Sequence, residues 1–252
     1  NSSEKNKYRL NKNKFFKEIK ILRLKNNVGS QKAIATGLKF ISKYQKKRED
    51  KFIIMDSDGE NDPKKIKEII KFIDKNHKTK IITMNRTIRK ESFFFSILYE
   101  IHLLLTFFIT LKYIRFGNFS FLSRKVINSL TKKKELWLAY SATLNKFFES
   151  KESILAPRRK RISGKSKMSY SNLITHSLNI HSVYMENIFY SYIIYSTILI
   201  FLCIFKMFNI ITLLLITLLI AHFLIITFNI KKEKKAITFN LSLNNIKSIK
   251  KI

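Results

Sequence analysis

The chain has 252 residues, 46% of them hydrophobic, and carries 49 Lys and Arg against 17 Asp and Glu, a formal net charge of +32. That length holds one sizeable α/β domain plus an appendage, and the single cysteine, Cys203, excludes a disulfide framework and a cysteine-built metal site. The charge suggests a polyanionic partner, a nucleic acid or an anionic membrane surface, but an AT-biased coding sequence also yields much Lys, Asn, Ile and Phe, so the placement of basic residues matters more than their total.

In chain order, residues 18–24 (EIKILRL) read as a strand and Asn26-Asn27-Val28-Gly29 as a turn. Ser30 reads as the cap of a helix to about Tyr44, with Ala33, Ala35, Gly37 and Leu38 offering a small-residue surface for close packing. Residues 52–55 form the next strand. Pro63 suits the first position of a helix over 63–75, where Ile66, Ile69, Ile70 and Ile73 recur at helical spacing. Residues 80–84 form a further strand. This alternation predicts a mostly parallel sheet flanked by helices, with ligands beyond the carboxyl ends of the strands, where Asp56 and Asp58 fall.

Residues 92–111 are apolar but hold Glu100 and His102 mid-segment, where a charge is costly in a bilayer. The expectation is a helix that packs on the sheet and leans its aromatic face into the membrane interface. Two longer runs follow, 188–205 and 210–230, with no formal charge in either. At about 1.5 Å per residue they reach about 27 and 32 Å, enough for a bilayer core. Only residues 206–209 separate them, so they read as a transmembrane hairpin. Basic flanks on both sides, at 158–167 and at Lys231, Lys232, Lys234 and Lys235, place both ends on the cytoplasmic face. The five histidines (77, 102, 176, 181 and 222) show no zinc-ligand spacing; His176 and His181 read as ordinary polar or interfacial residues.

Two motifs carry chemistry. In KFIIMDSDGENDP, residues 51–63, an apolar strand ends in alternating carboxylates, with Gly59 to turn and Pro63 to start a helix. Such a turn presents oxygens to a hard divalent cation that bridges phosphates, although an isolated D-x-D is as often a solvated acidic turn. In APRRKRISGKSKMSY, residues 156–170, Arg158, Arg159, Lys160, Arg161, Lys165 and Lys167 are interleaved with Ser163, Gly164 and Ser166. A juxtamembrane stop explains the charge but not the interleaved Gly and Ser, which suit backbone and hydroxyl contacts to phosphate.

Taken in order, Asn27-x-Gly29 with its Ala/Gly helix, IIMDSDGENDP, MNRTIRKES, GNFSFLSRKV and RRKRISGKSKMSY resemble family 2 glycosyltransferases, and most of all their dolichyl- or polyprenyl-phosphate sugar transferase branch. The resemblance covers about residues 20–180. It implies a GT-A-like fold over 1–155, a basic acceptor-binding segment at 156–185, the hairpin at 186–235 and a basic cytoplasmic tail at 236–252. It implies a hexosyltransferase that moves a sugar, with inversion, from a nucleotide-sugar donor to a polyprenyl phosphate on the cytoplasmic face of a bacterial-type inner membrane. Asp56, Asp58 and Arg86 would be catalytic; Asp58 and Glu60 would hold Mg²⁺ or Mn²⁺; Asp56, Arg86, Asn27 and Gly29 would bind the donor. Arg158, Arg161, Ser166 and Lys167 would bind the acceptor phosphate. Membrane lipid is the further partner, nucleic acid is not one, and a homo-oligomer is compatible.

Two departures from the family pattern stand out. Gly117-Asn118-Phe119-Ser120 replaces the usual S-G-F-R, and the opening nucleotide-binding strand is missing. Asn1-Ser2-Ser3 resembles the end of the family's D-D-x-S motif, which implies a truncated chain lacking part of its nucleobase pocket, and an inactive chain is compatible with that. A processive polysaccharide synthase would carry Q-x-x-R-W, whereas Trp137 follows Lys133-Lys134-Glu135-Leu136. A membrane-tethered polyanion-binding protein would need a basic stripe with stacking aromatics, and the aromatics at 93–95 run into an apolar segment instead.

Overall fold

Four short segments rich in Ile, Phe and Leu build the central sheet, β2 (Lys51–Ile54), β3 (Ile81–Arg86), β4 (Phe116–Ser123) and β5 (Glu152–Ala156), in the order β2-β4-β3-β5. The computed structural model describes residues 17–45, 51–86, 93–113, 116–157, 159, 170–204, 209–235 and 239–251. β4 pairs antiparallel with both β2 and β3, and β3 pairs parallel with β5. Three of the four strands therefore run in one direction. β4, absent from the sequence expectation, runs back because the chain leaves the carboxyl end of β3, forms helix α3 (Phe93–Thr110) and re-enters beside its exit, with Asn85 opposite Phe116.

Alternation along β4 sorts its side chains between two cores. Phe119 and Phe121 meet Ile69 and Ile73 of α2 (Lys65–Lys75) together with Ile82 and Met84. Leu122 faces the other way, toward Ala35 and Leu38 of α1 (Gly29–Tyr44), Val126 and Ile127 of α4 (Arg124–Leu130), and Tyr140 and Leu144 of α5 (Tyr140–Phe147). Ile70, on the helical repeat, remains exposed while Phe72 joins the core beside Ile69 and Ile73. The helix begins after Pro63-Lys64, with the Asp62 carboxylate accepting the Lys64 N–H at 3.0 Å.

Ser30 does not cap α1. The Asn27 side-chain oxygen accepts the Gly29 N–H at 3.1 Å and Gly29 takes φ +79°, so the turn closes one step earlier. Nor is Gly37 a close-packing point, since nothing lies within 4 Å of where its Cβ would be. The strand expected at 18–24 is present as β1 (Lys20–Leu24), but it pairs antiparallel with β6 (Ile246–Lys251) and not with the central sheet. The expected basic tail is thus a folded segment, a 3₁₀ stretch Phe239–Asn245 followed by β6.

α6 (Tyr170–Val183), α7 (Met185–Ile204) and α8 (Asn209–Lys235) pack against one another as a helical unit. Met185–Leu202 and Ile210–Lys232 are long and apolar enough to cross a bilayer, and only 17% and 11% of these windows is buried. A soluble core helix would be covered; these present apolar side chains outward. α3 packs against α6 and α7 and not chiefly on the sheet, leaving Ile97, Ile101, Leu104, Leu105 and Phe108 exposed. The physical cause is that an apolar helix gains more beside apolar helices than beside a sheet already covered on both faces. Buried and half-buried polar side chains join the four helices. Thr106 of α3 meets His181 of α6, whose Nδ1 lies 3.3 Å from Nε2 of His222 in α8, and His222 in turn meets the Tyr192 hydroxyl of α7. His181 is therefore a packing residue between helices.

Candidate active site

Because β2, β3 and β5 share a direction, their carboxyl ends lie along one edge of the sheet, and β4 begins at that edge. Four sequence motifs meet there. β2 delivers Asp56 and Asp58, β3 ends at Arg86, β4 carries Asn118 near its start, and β5 ends at Ala156, the neighbour of Arg86 in the parallel register.

The acidic turn is pinned from several sides. Gly59 takes φ +85°, which a glycine adopts without cost, and lets the chain reverse after Asp58. The Asp58 carboxylate accepts the Glu60 N–H at 3.1 Å, and Glu60 presents its carbonyl to the Arg159 N–H at 2.9 Å. The Arg159 guanidinium also reaches the Asp62 carboxylate at 3.4 Å. Asp56 is held from the opposite side: the Asn118 amide donates to its carboxylate at 3.0 Å, and the Gln31 amide of α1 donates to the Asn118 oxygen at 3.2 Å. Gln31 in turn accepts the Tyr140 N–H at 2.8 Å. The Tyr140 hydroxyl meets the Ser120 hydroxyl at 2.5 Å, and burial raises the phenol well above its ordinary range, the Ser120 bond opposing the rise, so it stays neutral.

Gln31 escaped the sequence reading, and Asn118 entered it only as a departure from the family's S-G-F-R, with no role at the site. An amide among the phenylalanines of β4 was the available signal. Asn27 and Gly29 shape the start of α1 in the same wall, and Arg86 is placed by its backbone at the end of β3. Arg158, Arg161, Ser166 and Lys167 lie outside the described residues, as do Asn1-Ser2-Ser3. Arg159 is described, and it contacts the acidic turn.

Among the described residues, no three His, Cys, Asp or Glu side chains gather into a metal cluster. Two neighbouring carboxylates on a tight turn fit a different arrangement. Mg²⁺-type cations are commonly held by one or two carboxylates and complete their shell with substrate phosphates and water.

These features define an α/β domain in which the acidic turn and Arg159 meet at one sheet edge. A family model for glycosyl transferase family 2 matches residues 3–130, about half of the chain, and the chain belongs to that family. It carries a glycosyltransferase domain. Comparison with curated proteins finds no match. The family match ends before the basic segment at 156–167.

Proposed function

We propose that this protein transfers a sugar from a nucleotide-sugar donor to a polyprenyl phosphate at the cytoplasmic face of a membrane. The observation that carries this reading is the contact of Arg159 with Glu60 and Asp62, which sets one cation of the basic motif against the carboxylate turn. A diphosphate donor and a phosphate acceptor need such opposed groups side by side.

Asp58 and Glu60 would hold Mg²⁺ or Mn²⁺, which when bound offsets the charge on the departing nucleoside diphosphate. Asp56, fixed by Asn118, orients the donor, with Arg86 on its diphosphate. The acceptor phosphate has a second pKa near about 6, so it is largely dianionic at neutral pH. Its oxygen forms the new bond to the anomeric carbon as the bond to the diphosphate breaks, and no strong general base is required. Arg158, Arg161, Ser166 and Lys167 would neutralise and aim it. Inversion and a hexosyl donor follow the family analogy.

The test is transfer from a panel of labelled sugar nucleotides to polyprenyl phosphate by the membrane-embedded full-length protein. Transfer should require a divalent ion. Asp58→Ala should lower kcat/KM by about 100-fold or more with membrane insertion intact, and Asn118→Ala by about tenfold, as for loss of a group that orients a ligating or binding carboxylate. Robust transfer by Asp58→Ala would sink the metal assignment.

A further inference from the structure

The turn that leads into α1 is exposed at Lys25, Asn26 and Asn27, yet it is held by a segment more than 200 residues away. The Lys25 N–H donates to the Asn245 carbonyl at 2.7 Å, and the Asn26 amide approaches the Asn245 side-chain oxygen at 3.5 Å. Further along α1, the Lys39 ammonium donates to the carbonyls of Phe239 and Asn240 at 2.6 and 3.1 Å and lies 4.5 Å from the centroid of the Phe239 ring. Phe239 packs on Trp137 in the core beneath α1. β6 then completes the hold by pairing with β1 from Leu24 opposite Ile246 to Lys20 opposite Lys251, with Glu18 bridging Lys20 and Lys251 at 3.3 and 2.8 Å.

We infer that residues 239–251 are a brace that positions the donor side of the active site and ties it to the membrane hairpin, an inference that rests on the functional reading above. The route is a continuous set of contacts. α8 ends at Lys235, a few residues before the 3₁₀ stretch; that stretch grips Lys25 and Lys39; the turn and α1 carry Gln31; Gln31 holds Asn118, and Asn118 holds Asp56. Releasing the brace frees the entry to α1, and with it the alignment of the Asp56 carboxylate. A carboxylate that must be re-ordered as the donor binds costs donor affinity, so the loss of pre-organisation appears as a raised donor KM. Lys39 and Phe239 are positioning residues and touch no substrate.

The experiment compares the full-length wild type with Lys39→Met and Phe239→Ala in the same membranes. The expected result is a five- to tenfold rise in donor KM in both variants, with acceptor KM and kcat at saturating donor within twofold of wild type. Lys39→Arg should restore the donor KM. Amide hydrogen exchange at Lys25 should quicken in the same two variants. A segment that only stabilises the fold would lower the active fraction and hence kcat, leaving donor KM unchanged. An active wild type with unchanged donor KM in both variants overturns the brace alone. A wild type inert toward every sugar nucleotide overturns the functional reading, and the brace's role at the donor with it.

Discussion

Gly29 opens α1 at φ +79°, whereas Gly37 sits within the helix with nothing within 4 Å of its absent Cβ. A side chain at Gly29 must enter the left-handed region, at a cost of about 1–2 kcal/mol. At Gly37 a methyl group meets open space and removes unfolded-chain freedom, for a gain of about 0.5–1 kcal/mol. Thermal unfolding of the purified protein should therefore shift down for Gly29→Ala and up for Gly37→Ala. A downward shift for the second would mean that α1 is more tightly packed at that point than its surroundings show. The same contrast explains what a reader of the sequence could see. Asp56, Asp58 and Gly59 were legible because a strand, a turn and two carboxylates follow one another directly. Asn118 and Gln31 were not, because their partners lie 62 and 87 positions away and only the folded sheet brings them together.

The junction of α6 and α7 shows how a helix pair is fastened to the catalytic domain. Val183 and Tyr184 pack on Ala139 and Ala142, and the Tyr184 hydroxyl donates to the Ala142 carbonyl and accepts from the Asn145 amide, each at 3.1 Å. Lys146 of α5 adds bonds to the Val183 carbonyl and to Glu186. Burial pushes the Tyr184 phenol up to about 12, with the Asn145 bond opposing the shift. The folded state therefore holds this proton more tightly than the unfolded chain, whose tyrosine titrates near about 10. The stabilisation is fully present below about pH 10 and is lost as pH rises toward about 12, with a size on the order of 2 kcal/mol. In unfolding scans between pH 9 and 12, the stability advantage of wild type over Tyr184→Phe should shrink by that order. An advantage that stays constant across the range would show that the phenol is not held neutral by burial. The neighbouring helices were only partly legible. Period and length marked α7 and α8, but α3 was expected on the sheet because no local pattern reveals that Thr106, His181, Tyr192 and His222 meet.

On the proposed reading of α7 and α8 as a transmembrane hairpin, the strand pairings fix which parts of the chain share a side of the membrane. β6 follows α8 and pairs with β1, so two crossings must return the chain to the side where the catalytic domain began. α3 cannot add a third crossing, because Asn85 before it and Phe116 after it are direct partners in one sheet. The basic residues Lys231, Lys232, Lys234 and Lys235 at the end of α8 favour the cytoplasm for that side. These constraints were half visible beforehand: the hairpin could be read from hydropathy, while the return of the tail to β1 could not, since its Lys and Ile residues match any solvated tail. They predict a labelling pattern. With Cys203→Ser as background, single cysteines introduced by Lys78→Cys after α2 and Ser248→Cys in β6 should both resist a membrane-impermeant maleimide in intact cells and both react once the membrane is opened. Ile210→Cys, at the start of α8 and 85% exposed, should not follow them, because it sits at the far end of the hairpin. Reaction of Ser248→Cys from outside while Lys78→Cys stays protected would separate β6 from β1 and remove the single-sided architecture on which both the shared active-site edge and its brace depend.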